Sequence, residues 1–409
     1  MLALILSSLF FILLYRENRS YKGTTFLSVL LFLYGSSFAV SFIMSGLFGF
    51  EDFEGELLPS LYLLLIFYFW FVPYKGLQIN IINCRETDVR LLAKIFIVIL
   101  APAFFYLFYL LIGILQSNRS NLEVLRDMLS EESPLPQTNL IFFYSIVTHL
   151  YFIPLLLFFY SVIHKWTPIF SILLLLSSLS FPVYCGCQFG RDGLVLWIFN
   201  VVLLYFILKN RFSANQRKLI SRIGFVFLVI MVVLIGVITI QRFVNNITAS
   251  NNDFLIRGSL GYFGQQLGNF TDIFDFDAQG RETLFPFKDF IIKKLGYNVP
   301  TFNELLMKKG LEDEVGVFGF FVRSLVFAYG RIGAIIPSLV FFALVNHLRK
   351  MEKRTHSIYY LLLLYMLFQI PLDGVFYYRQ GINLGDLAYA FGFVIIYFVF
   401  KLNVKKQYA

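Results

Sequence analysis

Long apolar stretches recur along this chain of 409 residues, and polar segments separate them. A hydrocarbon core about 30 Å thick is crossed by a helix of roughly 17 to 25 apolar residues. The apolar residues run continuously instead of alternating, which is atypical of the strands of a membrane barrel. The pattern predicts about eleven transmembrane helices, of which the first and seventh are short: Leu2–Tyr15, Thr24–Phe48, Leu57–Val72, Ile95–Leu115, Leu140–Ile163, Thr167–Cys185, Leu194–Leu208, Phe225–Ile240, Leu325–Val345, Ile358–Leu372 and Leu384–Phe400.

Composition supports the same class of protein. Hydrophobic residues make up 58% of the chain and charged residues only 14%, whereas soluble globular domains carry about 25% charged residues. We therefore expect an all-α fold, a polytopic helical bundle in a membrane.

Lysine and arginine are unequally divided between alternate polar segments. One set of segments holds twenty of them, and the short segments of the other set hold four. The positive-inside rule makes the first set cytoplasmic, so the N-terminus is outside and the C-terminus is in the cytoplasm. The basic residues thus act as topological anchors, and the net charge of +9 gives no reason to expect nucleic acid as a partner. The first stretch has no basic segment before it and no small-residue cleavage site, so we expect a retained helix.

One outer segment, residues 242–324, is much longer than the rest. Its 83 residues divide the chain into residues 1–241 with the first eight spans, the loop itself, and residues 325–409 with the last three. A loop of this length needs structure of its own, and a capping pattern over Thr301–Glu304 with Gly310 beyond it predicts a short helix. The aromatic and amide side chains of Gly261–Phe270 suit either a polar ligand near the membrane or a ligand-free interfacial segment.

Metal and nucleotide chemistry find no support in the sequence. Cys84, Cys185 and Cys187 are too few for a disulfide framework, and the latter two lack the second ligand pair of a zinc site. Of four histidines only His149 lies inside a predicted span. No glycine-rich stretch matches a P-loop or a dinucleotide-binding fingerprint. We expect neither a metal nor a cofactor.

Ionisable residues at the outer ends of the spans are candidates for function, because charge near the hydrocarbon is costly unless it faces a cavity or a partner. Arg331 lies a few residues inside the ninth span, and Arg323 precedes it by eight positions. Eight residues of a regular helix correspond to a rotation of about 80°, so both side chains are predicted to point into one cleft. The alternative is that the Arg323 side chain extends along the apolar surface and places its guanidinium group at the membrane–water interface.

Four other charged residues are expected at the same membrane face. Arg191 and Asp192 occupy the turn between spans six and seven, Asp373 ends span ten, and Arg379 follows it. Alternatively, Arg191 forms an ion pair with Asp192 or contacts lipid headgroups, and the turn has no part in function.

A lipid-linked diphosphate sugar is the substrate class that best matches these residues. Guanidinium groups bind phosphate oxygens in bidentate fashion and stabilise a departing diphosphate. The bond between sugar and diphosphate already carries the energy for transfer, so no cofactor is required. The acceptor hydroxyl then needs only a carboxylate or imidazole as base.

The chain also resembles a known family, the O-antigen polymerases or oligosaccharide repeat unit polymerases. The similarity lies in the plan of about eleven spans with one large outer loop late in the chain. Locally it lies in the turn Phe189–Gly193, in the stretch Phe318–Gly333 with its aromatic-Gly-x-x-Gly step, and in an Arg-x10-Gly pattern from Arg257 to Gly268. Such patterns are sometimes described in two outer loops, and only one convincing copy is present here.

The resemblance implies a glycosyltransferase of the bacterial inner membrane. It would polymerise undecaprenyl-diphosphate-linked repeat units at the periplasmic face, surrounded by membrane lipid, with a flippase and a chain-length regulator as protein partners. The candidate residues for binding diphosphate are Arg191, Arg257, Arg323, Arg331 and Arg379, and the candidate bases are Asp192, Asp373 and His149.

Three alternatives remain open at this point. An O-antigen ligase would transfer the glycan to a lipid A core, and we would expect a histidine in its large loop, where residues 242–324 have none. A flippase or other transporter would tend to show repeated halves, which the sequence lacks. A scaffolding protein would leave Arg331 unexplained.

Overall fold

The computed structural model consists of helices and turns, with no strand, in the part of the chain that it describes. This confirms the expected all-α class for residues 2–21, 25–46, 48–49, 55–78, 86–117, 135–188, 190, 192–218, 220–222, 263–274, 291–292, 295–296, 307, 319–355, 357–378 and 385–405. In chain order the main helices are α1 (Leu2–Asn18), α2 (Phe26–Gly46), α3 (Leu57–Phe71), α4 (Glu86–Ser117), α5 (Asn139–Val147), α6 (Phe152–Ile163), α7 (Pro168–Ser178), α8 (Ser180–Cys187), α9 (Asp192–Leu208), α10 (Gln266–Phe274), α11 (Phe321–Thr355), α12 (Ile358–Asp373) and α13 (Gly385–Lys405).

Several of these helices have the length and apolarity of membrane spans. Within the described residues there are six, at Phe26–Gly46, Leu57–Tyr74, Glu86–Ile114, Pro168–Cys187, Asp192–Arg211 and Phe321–Thr355. The pair α5 and α6 makes a seventh if it counts as one span, and α12 and the apolar part of α13 are shorter. The structure thus supports a polytopic membrane protein with six or seven such helices, while the predicted eighth span lies outside the described residues.

The chain forms two compact units whose segments alternate along the sequence. The first comprises Met1–Gln78, Ser250–Thr355 and Leu363–Asp386, and the second comprises Ile79–Ala249, His356–Leu362 and Leu387–Ala409.

The core of the first unit is largely aromatic. The ring of Tyr34 in α2 lies 4.8 Å from those of Phe67 and Phe71 in α3, and it stacks on Phe320 at 5.3 Å. Its hydroxyl donates a hydrogen bond to the carbonyl oxygen of Pro371 at 2.7 Å, which ties α2 to α12. Edge and face contacts of this kind add about 0.5–1.5 kcal/mol per pair beyond the area that the rings bury.

A second set of contacts joins α3 to α11. The indole Nε1 of Trp70 donates to Ser338 Oγ at 2.9 Å, and its ring stacks on Phe341 at 3.7 Å. Near the predicted cytoplasmic end, Arg349 Nη1 donates to the carbonyl oxygen of Pro73 at 3.0 Å. The second half of α11 is therefore held against α3 and the 3₁₀ turn that follows it, Val72–Tyr74, by both polar and aromatic contacts.

The second unit is built around α4, which packs along α7 and α8, and around α6, which packs against α7 and α9. Buried polar side chains join its helices, as Trp197 Nε1 donates to Ser178 Oγ at 3.0 Å and Asn200 Nδ2 to the Tyr151 hydroxyl at 3.0 Å. The 3₁₀ turn Thr148–Leu150 continues α5, and the combined segment Asn139–Leu150 meets α6 at an angle of 53°. Pro154 explains the break, because a proline ring clashes with the carbonyl group four residues earlier, here that of Leu150.

Candidate functional site

The first candidate site surrounds Arg331 in the first unit. Its guanidinium carbon lies 5.1 Å from the centre of the Phe274 ring, and its backbone carbonyl accepts a hydrogen bond from the Tyr62 hydroxyl at 2.5 Å. Tyr62 in turn lies against Phe270 and Phe274, with ring centres 6.4 and 5.3 Å away. We call these three rings the aromatic shelf. Arg331 itself is exposed.

The aromatic shelf depends on α10, which belongs to the predicted large loop. Gln266 is fully buried and its Oε1 accepts from Ser37 Oγ at 3.1 Å, while Ser41 Oγ donates to the carbonyl oxygen of Gly264. On the α3 side, the backbone N–H of Glu56 donates to Thr271 Oγ1 at 3.3 Å. This part of the loop is therefore packed against α2 and α3, and the Gln266 amide is used within the protein.

A backbone junction joins the start of α11 to the end of α12. The N–H of Gly319 donates to the carbonyl oxygen of Phe376 at 2.9 Å, and the N–H of Phe321 donates to that of Gly374 at 2.8 Å. Gly374 permits this approach, because a Cβ there would lie 2.7 Å from the Phe321 ring. We refer to these residues, 319–321 and 374–376, as the α11–α12 junction.

The junction brings two predicted site residues into the same small region. Arg323 lies two residues after Phe321 and is 3% exposed, and Asp373 lies one residue before Gly374 and is 1% exposed. The arginine side chain folds back over Gly319, where an added Cβ would lie 2.4 Å from Cδ. A guanidinium and a carboxyl group are thus both buried at this junction, which is costly in a membrane protein and marks a functional candidate.

The predicted common orientation of Arg323 and Arg331 is wrong. It assumed a regular helix, but Gly330 between them has φ 71° and ψ 172°, which interrupts α11. The rotation of about 80° over eight residues applies only to continuous α-helical geometry. Consequently Arg323 is buried at the junction, whereas Arg331 is exposed on the aromatic shelf.

A different pair of predicted residues lies in the second unit. Asp192 is the first residue of α9 and follows Gly190, whose N–H donates to the carbonyl oxygen of Cys185 at 2.8 Å. A Cβ on Gly190 would lie 2.8 Å from Asp192 Oδ1, and one on Gly193 would lie 2.6 Å from Cys185 Sγ. The two glycines of this turn therefore let the backbone of α9 approach α8.

His149 lies at the break between α5 and α6. It is 2% exposed, and its ring centre is 5.0 Å from that of Phe181 in α8, which stacks on Tyr151 at 5.1 Å. His149 and Asp192 are thus both beside α8, although they are not in the unit that holds Arg323, Arg331 and Asp373.

The remaining predicted features lie outside the described residues. These are Arg191, Arg257, Arg379, Cys84 and the capping pattern over Thr301–Glu304. Among the described residues, no group of three histidine, cysteine, aspartate or glutamate side chains is arranged to hold a metal ion.

Sequence reasoning missed the residues that form the aromatic shelf. Tyr62 is separated from Arg331 by 269 positions, and no periodic pattern connects them. The mixed aromatic and amide composition of Gly261–Phe270 was the only local signal, and it did not reveal that α10 would pack against α3.

Comparison of the chain with protein-family models, with curated proteins and with solved structures found no match. The resemblance to O-antigen polymerases therefore remains a prediction from short motifs and from the plan of the chain.

Proposed function

We propose that this protein polymerises undecaprenyl-diphosphate-linked oligosaccharide repeat units by glycosyl transfer at the periplasmic face of the inner membrane. The observation that carries the proposal is the placement of Arg323, Arg331 and Asp373 in one compact unit, near the start of α11. Arg331 offers an exposed cation above aromatic rings, and the other two are buried at the α11–α12 junction.

In the proposed reaction, the acceptor hydroxyl oxygen bonds to the anomeric carbon of the donor sugar as the bond from that carbon to the diphosphate breaks. The hydroxyl proton passes to a carboxylate, for which Asp373 is the candidate in this unit. The lipid diphosphate leaves as an anion, and guanidinium groups stabilise the charge that develops on it. The aromatic shelf would contact the apolar face of a sugar ring.

The proposal is tested in the native host with Arg323→Ala and Arg331→Ala. Loss of one donor to a developing anion costs about 10²-fold in rate, so the ladder of surface-polysaccharide chain lengths should collapse to single repeat units. The matched control is Arg354→Ala, since Arg354 is exposed near the other end of α11. If both variants keep the full ladder, the site is elsewhere.

Reconstitution separates this function from its rivals. The purified protein is incubated with the lipid-linked repeat unit of its host, with and without lipid A core as acceptor. Polymer formation supports the proposal, glycan on lipid A identifies a ligase, and unmodified lipid in the opposite leaflet identifies a transporter. Thermal unfolding of each variant accompanies the assay, because Arg323 is buried and its loss would also weaken the junction.

A further inference from the structure

A pocket in the second unit lies between α4 and the start of α7. Its lining residues are Arg90, Lys94, Trp166, Thr167 and Phe170. This is the side that the positive-inside rule assigns to the cytoplasm. Lys94 directly precedes the predicted span Ile95–Leu115, so we expect the pocket to lie where headgroups meet hydrocarbon.

The cations of the pocket differ in what they contact. Arg90 Nη2 pairs with Glu86 Oε1 at 2.8 Å, and its guanidinium carbon lies 5.3 Å from the Trp166 ring. The same carboxylate oxygen accepts a hydrogen bond from Trp166 Nε1 at 2.8 Å. Lys94 is exposed and makes no ion pair or hydrogen bond with the residues that the structure describes. Glu86 offsets one of the two positive charges, and Lys94 supplies the excess.

The start of α7 adds to the positive potential. Thr167 is its N-cap residue and Pro168 its first helical residue, and the Thr167 side chain makes no capping hydrogen bond. The N-terminus of a helix carries a partial positive charge and favours an anion nearby. An anion in the pocket would therefore meet the Lys94 ammonium group and this helix end together.

Apolar side chains are exposed next to the cations. Val98, one turn after Lys94 on the same face of α4, is 72% exposed, and on α7 Ile169 is 75% and Ile172 53% exposed. Surface of this kind is covered by acyl chains in a bilayer. Trp166, which lines the pocket, is of a residue type that prefers the boundary between headgroups and hydrocarbon. A ligand with an anionic head and an apolar tail fits both parts, whereas a simple soluble anion would leave the apolar side chains uncovered.

We propose that this pocket binds the phosphate of an anionic phospholipid headgroup in the cytoplasmic leaflet. Lys94 is the principal contact, and Arg90, held in place by Glu86 and Trp166, is the second. The acyl chains lie along Val98 and the exposed isoleucines of α7. The site is independent of the function proposed above, since it is in the other unit and needs no glycan.

The test uses the full-length protein in detergent and native mass spectrometry with phosphatidylglycerol. A charge-assisted contact to phosphate is worth about tenfold in affinity, so Lys94→Ala should weaken phosphatidylglycerol binding by about that factor. Lys94→Arg should retain binding. The matched control is Lys353→Ala, because Lys353 is also exposed at a predicted cytoplasmic helix end but lies outside the pocket. Lys94→Ala is expected to fold, because the side chain is exposed and alanine favours helix.

Two further arms distinguish the source of the phosphate. Phosphatidylcholine should bind more weakly than phosphatidylglycerol, and excess inorganic phosphate should leave the bound lipid in place. Equal binding to wild type and Lys94→Ala, or equal binding of the two lipids, would overturn the proposal. Displacement by inorganic phosphate would show that the pocket takes a soluble anion instead.

Discussion

At the scale of single residues, Gly330 decides how the charged start of α11 is arranged. Its φ of 71° and ψ of 172° lie in a region that only glycine adopts readily. A Cβ at this position would meet no atom within 4 Å, so any cost of substitution comes from the backbone. We predict that Gly330→Ala lowers the free energy of unfolding by about 1–3 kcal/mol, measured by thermal or denaturant unfolding in detergent.

The control for this prediction is Gly113→Ala in α4. A Cβ there also meets nothing within 4 Å, but Gly113 does not have a positive φ. Alanine in a helix is favoured over glycine by about 0.5–1 kcal/mol, so this variant should be neutral or slightly stabilised. Equal effects at the two positions would mean that the break at Gly330 is not required by the native fold.

Gly330 also shows which property of the candidate site could not be predicted from the sequence. Charge near the membrane made Arg323 and Arg331 candidate site residues. In the structure Arg323 is buried and Arg331 is exposed. Their relative orientation was predicted from helical geometry, and it was wrong because a backbone torsion at Gly330 intervenes. The sequence Tyr-Gly-Arg permits such a torsion but does not require it, since glycine is also compatible with a helix.

At the scale of elements, the close contact between α8 and α9 depends on Gly193. A Cβ there would lie 2.6 Å from Cys185 Sγ and 3.1 Å from the carbonyl oxygen of Phe181. The backbone carbonyl cannot move without disturbing α8, and overpacking of this kind costs about 1–3 kcal/mol. We predict that Gly193→Ala lowers the midpoint of thermal unfolding.

Gly186→Ala, in α8 but facing α4, serves for comparison. Its Cβ would lie 3.5 Å from a Leu111 methyl group, which is ordinary van der Waals contact. The free energy of unfolding of this variant should lie within about 0.5 kcal/mol of that of wild type, because the added methyl group creates no overpacking. If Gly193→Ala is as stable as Gly186→Ala, the helices adjust and the glycine is not needed for their packing.

The presence of a helix was easier to predict from the sequence than its exact ends or the helices against which it packs. Helix α3 occupies Leu57–Phe71, close to the predicted Leu57–Val72, because its apolar run coincides with the helix. Helix α4 begins at Glu86, nine residues before the predicted Ile95, because the mixed polar and apolar segment 86–94 is also helical. The packing of α10 against α2 and α3 could not be predicted, since it rests on contacts such as Ser37 to Gln266 across 229 positions.

At the scale of the whole molecule, the untested expectation is the direction in which the chain crosses the membrane. The unequal distribution of lysine and arginine predicts that residues 242–324 face outward and that the end of α11 faces the cytoplasm. Two exposed positions report on these faces, Asp272 on α10 and Lys353 in the last turn of α11. Buried Ile273, next to Asp272, reports on the packing of α10.

We predict three outcomes of cysteine labelling in intact cells, in a Cys84→Ser background where the remaining Cys185 and Cys187 are buried. Asp272→Cys should react with a membrane-impermeant maleimide from outside, because its side chain is exposed in a segment predicted to face outward. Ile273→Cys should react slowly, because α10 is packed against the membrane helices. Lys353→Cys should react only after the membrane is permeabilised. The reverse pattern for Asp272→Cys and Lys353→Cys would invert the topology and place the Arg331 site in the cytoplasm, where a periplasmic polymerase could not use it.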